Sequence, residues 1–104
     1  MEPSELAALL ASSHPPCLLD VREREEWAFA ALPGARWIPL RQIPQRVAEL
    51  EAWKEKDVVV YCHHGIRSQH AIAWLRQAGF LRLSNLTGGI DRWSLEVDPS
   101  VPRY

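Results

Sequence analysis

The segment Asp57-Val58-Val59-Val60-Tyr61, running straight into Cys62-His63-His64-Gly65 and then into an amphipathic pattern, constrains this chain more than any other feature. Three consecutive β-branched residues favour extended backbone, because two heavy atoms on Cβ restrict χ1 and pack well on a pleated surface. Cys17-Leu18-Leu19-Asp20-Val21 is a second short apolar run, bounded by prolines before and charges after, and it suits a strand buried on both faces. Such strands need helices above and below them.

The rest of the chain supplies those helices. Ser4 is expected to cap a helix with Leu6, Leu9 and Leu10 on one face, ended by Ser13-His14-Pro15-Pro16. The charged residues 22–26 read as the start of a short helix that leads through Trp27 and Phe29 to the turn Pro33-Gly34. Arg36-Trp37-Ile38 is a brief strand stopped by Pro39, and Pro44 suits the first turn of a helix through Val47, Leu50 and Trp53. Over residues 68–78, Ala71, Trp74, Leu75 and Ala78 fall at i, i+3, i+4 and i+7, and Gly79 supplies the stop. A last strand over about 83–86 precedes Thr87-Gly88-Gly89 and a short helix through Ile90 and Trp93. Strands alternating with helices predict a parallel sheet with helices on both faces.

The chain of 104 residues is long enough to bury a core without metal or disulfide staples, and it reads as one domain over 1–104. Twelve Lys and Arg are interspersed with thirteen Asp and Glu, so there is no basic stripe to bind nucleic acid. No apolar run approaches the length of a bilayer span, and Met1-Glu2-Pro3-Ser4-Glu5 is acidic, unlike the basic start of a secretory leader. The expectation is a cytoplasmic protein with no nucleic-acid or membrane partner. Two cysteines make no disulfide framework.

Cys62 stands at the carboxyl end of the strongest strand, where parallel α/β sheets bind their ligands. The chain must then turn into a helix near Ser68. Gly65 permits a positive φ or a close backbone approach to an anion, and consecutive N–H groups in such a turn can point at one centre. The helix start adds free amides and the positive end of a macrodipole, which together stabilise an anionic sulfur. A thiolate is the form that attacks sulfur, and the terminal sulfur of a persulfide is also anionic, so one cradle serves both states. The competing reading of Cys62 as a small buried hydrophobe is weakened by the order of strand, glycine turn and helix.

Four ordered segments resemble the rhodanese-like family over nearly the whole chain. They are Leu19-Asp20-Val21-Arg22-Glu23 with Glu26-Trp27, Leu32-Pro33-Gly34-Ala35-Arg36-Trp37-Ile38-Pro39, Tyr61-Cys62 through Ser68, and Leu86-Thr87-Gly88-Gly89-Ile90 with Trp93. The resemblance implies a three-layer α/β/α domain with a four- to five-stranded parallel sheet. It implies a catalytic Cys62 that takes sulfane sulfur from thiosulfate or a persulfide and passes it to cyanide or a thiol, a protein thiol included. His63, His64, Gly65, Ile66, Arg67 and Ser68 are then the substrate-binding loop, and neither cofactor nor metal is called for. Two departures stand out: only Met1-Glu2-Pro3 is present where family members open with a short strand, and Ala31 replaces a histidine usual before the Pro-Gly turn. Related phosphatases and arsenate reductases place one more residue between Cys and Arg than the His63, His64, Gly65 and Ile66 found here. The tighter ring suits a single sulfur better than a tetrahedral oxyanion. A non-catalytic binding module on the same fold is the alternative reading.

Other residues carry competing assignments. Arg67 either binds the anionic end of a donor or braces the loop through a salt bridge. His63 and His64 are titratable near neutrality, yet their amides are expected to matter more than their side chains, which are read as solvated. A metal held by Cys62, His63 and His64 is disfavoured, since adjacent residues in one turn do not converge tetrahedrally and no second ligand pair is visible. Asp20 is read as orienting backbone with Arg22, and Arg22 with Glu26 as a pair across one helical turn. Cys17, four residues before its strand's end and about 13 Å from it, is out of disulfide reach of Cys62. The tryptophans, Trp74 and Trp93 especially, are read as packing.

Overall fold

Strands β1 (Cys17–Asp20), β2 (Arg36–Trp37), β3 (Asp57–Tyr61) and β4 (Arg82–Asn85) form one parallel sheet in the order β2-β1-β3-β4, in a computed structural model that describes residues 1–104. The register sets Asp20 beside Tyr61 and Val60 beside Asn85, so the carboxyl ends of the three longer strands meet along one edge. Side chains alternate between two faces, as the two-residue period of a strand requires. Val58 and Val60 join Leu19 against α4 (Arg67–Gln77), where Ala71, Ile72 and Leu75 are buried. Val59 and Tyr61 join Leu18 against the opposite layer, which holds Leu6 of α1 (Pro3–Leu10) and Ile90 and Trp93 of α5 (Gly89–Glu96). The expected three-layer α/β/α architecture is therefore present, with four strands. No helix is long and apolar enough to cross a membrane.

Several local expectations are corrected. The N-cap of α1 is Glu2, not Ser4: Pro3 takes the first helical position, and the Glu5 carboxylate accepts the Glu2 N–H at 3.1 Å. Trp74 is 39% exposed. The buried face of α4 is set by Ser68, Ala71, Ile72 and Leu75, and Trp74 lies about 110° round the helix from its centre. The segment expected as one helix makes a single α turn, α3 (Ile43–Arg46), and continues as a 3₁₀ helix over Val47–Trp53. Val47, Leu50 and Trp53 stand three apart, which aligns them on one face only at three residues per turn, and all three pack on the core. The short opening strand is reduced to one residue. The Met1 nitrogen donates to the Asn85 carbonyl at 2.8 Å and the Thr87 N–H donates to the Met1 carbonyl at 2.9 Å, the slanted pattern of a parallel pair at the β4 edge.

Candidate active site

Cys62 leaves the end of β3 and is 1% exposed. Its Sγ accepts the N–H of Gly65 at 3.1 Å and the N–H of Ser68 at 3.4 Å, and lies 3.5 Å from Ser68 Oγ. Two backbone donors thus converge on the sulfur from the turn and from the first turn of α4. Gly65 has φ +102°, a region that side chains strain to enter, while a Cβ there would meet only ordinary contacts at 3.5 Å. The glycine is required by conformation, not by space.

The loop is also clamped from outside. The N–H of Ile90 donates to the Cys62 carbonyl at 2.9 Å and the N–H of Asp91 to the His63 carbonyl at 3.2 Å, so free amides of the first turn of α5 are capped by the loop itself. All peptides are trans, and a trans peptide sets its N–H opposite its C=O. Tying the Cys62 and His63 carbonyls to α5 therefore turns the N–H groups of His63 and His64 away from that helix. Neither of these, nor the N–H of Ile66, has an acceptor within the protein. Gly89 makes the close approach possible: it has φ +63°, and a Cβ on it would lie 2.3 Å from the His63 carbonyl oxygen and 2.4 Å from that of Cys62.

Charge around the loop is paired. Arg67 donates from both terminal nitrogens to Glu26 of α2 (Arg24–Phe29), at 2.6 and 2.9 Å. That arginine holds the Glu26 carboxyl down to about 2. Glu26 is thus the partner of Arg67 and not of Arg22, because α2 begins at Arg24 and no helical turn connects residues 22 and 26. Arg22 is fully buried and donates to both oxygens of Asp20, at 2.9 and 2.7 Å, while Asp20 also accepts the Arg22 N–H and the Tyr61 hydroxyl, each at 3.0 Å. Asp20 orients backbone, as expected, and does not line the loop. The Tyr104 hydroxyl accepts from Arg22 at 2.9 Å and donates to Glu26 at 2.7 Å, joining the two ion pairs.

The histidines differ from each other. His64 is exposed, as expected, but His63 is half-buried, with its ring stacked on those of His64 and Tyr104 at 3.9 Å each. Its Nε2 is buried without a partner. Burial, and then the neighbouring His64, pushes the His63 imidazole below its ordinary value. The fold also brings Asp91 to these rings, a third potential ligand that the sequence did not place, with one ligand atom of each residue within 4.8 Å of the others. The donor set does not fit a cation. Asp91 is already held by Arg103 at 2.9 Å, and the two imidazoles come from adjacent residues of one turn with their rings stacked on each other. Cys17 is a free thiol at the opposite end of its strand, half-buried against the core.

The sequence model of the rhodanese-like domain matches residues 2–96. The chain belongs to the rhodanese-like family. It is 45% identical over 91 residues to the chloroplastic rhodanese-like/PpiC domain-containing protein 12 of Arabidopsis thaliana, a match covering 84% of this chain but 30% of that protein. It is 38% identical over 101 residues to a sulfurtransferase of Allochromatium vinosum, covering 97% of this chain and 92% of that one. The structure of the human single-domain sulfurtransferase TSTD1 superposes with a TM-score of 0.80 at 29% identity, covering 92% of this chain and 95% of that one. The chain therefore spans less than a third of the Arabidopsis protein and nearly all of the Allochromatium one.

Within this rhodanese-like domain the residues that sequence reasoning missed are the supports of the loop. Asn85 at the end of β4 donates from Nδ2 to the Gly65 carbonyl at 3.1 Å, and its Oδ1 accepts the Ser68 hydroxyl. A signal was present: alternation along β4 puts Asn85 on the α4 face with Leu83, a polar residue where the pattern calls for an apolar one. Glu26 and Tyr104 had no such signal, since their partners come from elsewhere in the chain.

Proposed function

We propose that this rhodanese-like domain transfers sulfane sulfur through a persulfide on Cys62, taking it from thiosulfate or a persulfide donor and passing it to cyanide or a thiol, including a protein thiol. The Cys62 thiolate attacks the outer sulfur of thiosulfate, a new S–S bond forms, and the old one breaks with its electron pair leaving on sulfite. An acceptor nucleophile then attacks the terminal sulfur, and Cys62 departs as thiolate. Charge is conserved in each step, and no redox partner is consumed.

The observation that carries this reading is the distribution of amide donors. Those of Gly65 and Ser68 are already on Sγ, while those of His63, His64 and Ile66 have no acceptor and are available to an anionic terminal sulfur. Arg67 acts in this scheme as a brace, because both of its terminal nitrogens are committed to Glu26. The four residues between Cys62 and Arg67 favour sulfur over phosphate. Incubation with thiosulfate followed by intact mass is expected to show a gain of one sulfur atom on the native protein and none on Cys62→Ser. No gain on the native protein, or an equal gain on the variant, refutes the proposal.

A further inference from the structure

The Gly65 carbonyl can only accept a hydrogen bond, so the group of Asn85 that faces it at 3.1 Å is the amide nitrogen. The planar amide then turns Oδ1 toward Ser68. An amide oxygen cannot donate, so the Ser68 hydroxyl gives its one hydrogen to Asn85. What remains on Ser68 Oγ is lone pairs, and these face Cys62 Sγ at 3.5 Å. Ser68 is fully buried and is the one side chain bonded to that sulfur.

A hydroxyl fixed in this way treats the states of the sulfur differently. A thiol donates its S–H to the oxygen. A bare thiolate meets an oxygen lone pair in place of a donor. In a persulfide the charge has moved to the terminal sulfur, and Sγ is neutral. We propose that Asn85 is a positioning residue which, through the Ser68 hydroxyl, disfavours the bare Cys62 thiolate relative to the thiol and the sulfur-loaded form. The second half of this statement rests on the persulfide reading; the first does not.

The charged and titratable groups around the loop are His63, His64 and Arg67, with Glu26 from α2, Asp91 from α5 and Tyr104 from the C-terminal segment. None of them hydrogen-bonds Sγ. All are retained in the variants below.

The test is the rate of Cys62 alkylation by iodoacetamide against pH, since the thiolate alone reacts. In Asn85→Ala the hydroxyl is released to donate to the sulfur. The profile is expected to move to lower pH, with a rate about tenfold higher below its midpoint, the scale of one charged hydrogen bond. In Asn85→Ala with Ser68→Ala the part of that gain due to the donated hydrogen bond is lost, and the profile falls back to that of Ser68→Ala. Ser68→Ala alone removes the acceptor of the thiol and also moves the profile to lower pH. This milder change decides the matter if Asn85→Ala does not fold, because a hydroxyl that natively donated to the thiolate would make the profile move up.

An unchanged or raised profile in Asn85→Ala, or a double variant that keeps the full gain, overturns the proposal. With thiosulfate and sulfite at a fixed ratio, above both midpoints, the ratio of loaded to bare Asn85→Ala read by intact mass is expected to fall about tenfold from the native value. An equal ratio overturns the bias toward loading. The expected alkylation shifts with no sulfur uptake by either protein refute the sulfur-transfer reading and uphold the hydroxyl's orientation.

Discussion

Gly89→Ala tests whether the contact between α5 and the Cys62 loop holds the site together. The added Cβ would lie 2.3 Å from the His63 carbonyl oxygen, whereas carbon and oxygen sit comfortably at about 3.3 Å, so loop and helix must separate by about 1 Å. Alanine at φ +63° costs about 1–2 kcal/mol, and forced overpacking about 1–3 kcal/mol. The total of about 2–5 kcal/mol is expected to lower Tm by at least about 8 °C in a chain of this size. A displacement of about 1 Å at the reacting group is expected to reduce persulfide formation about a hundredfold in the molecules that remain folded. Gly79→Ala is the control: its φ of +100° is also strained for alanine, but its Cβ would meet only the Lys54 side chain, at 3.9 Å. It is expected to lose about 1–2 kcal/mol in a urea melt with sulfur loading unchanged. A Gly89→Ala protein with native Tm and native loading would refute the reasoning, as would equal loading defects in the two variants.

Arg22→Met leaves the fully buried Asp20 carboxylate without its cation and is expected to cost about 3–5 kcal/mol in chemical denaturation; a loss under 1 kcal/mol would mean that the pair is dispensable. Tyr61→Phe removes a donor to Asp20 and the acceptor of the Leu32 N–H, and is expected to cost about 1–3 kcal/mol by the same measurement, with no effect expected if water replaces the hydroxyl. The Glu26 carboxyl is held at about 2 by Arg67, below the ordinary value near 4.3. A depressed folded value means that the pairing contributes fully above about pH 4.3 and is lost as pH falls toward 2. The Tm of the native protein should therefore exceed that of Glu26→Gln near neutrality and converge with it over that acid window; a gap independent of pH would contradict the assignment.

The sheet and the loop were legible in the sequence because their determinants are local. Three valines in a row, a glycine turn and a helical period need no partner to be recognised, and they locate β3, Cys62 and α4. What could not be read depends on contacts between distant segments. The rule that residues four apart pair on a helix applies only within a helix, so Arg22 was matched with Glu26 although Arg22 lies before α2 starts. The i, i+3, i+4, i+7 pattern of Ala71, Trp74, Leu75 and Ala78 took in Trp74, while burial is centred on the neighbouring stripe that includes Ile72. Asn85 and Gly89 support the loop from β4 and α5, some twenty residues or more beyond it, and only the fold brings them there.

The linked pairs around the loop bear on how substrate arrives. Asp20, Arg22, Glu26 and Arg67 form an alternating chain through the Tyr104 hydroxyl, and Asp91 is matched by Arg103. Within these pairs the opposite charges offset each other over distances shorter than a Debye length, so the pairs themselves project little field into solvent. If the donor is anionic, as proposed, these paired side chains would add little steering, and its rate of encounter is expected to change little with ionic strength. Under the proposed sulfur transfer, discrimination would then be exerted at contact, by the amides around Cys62.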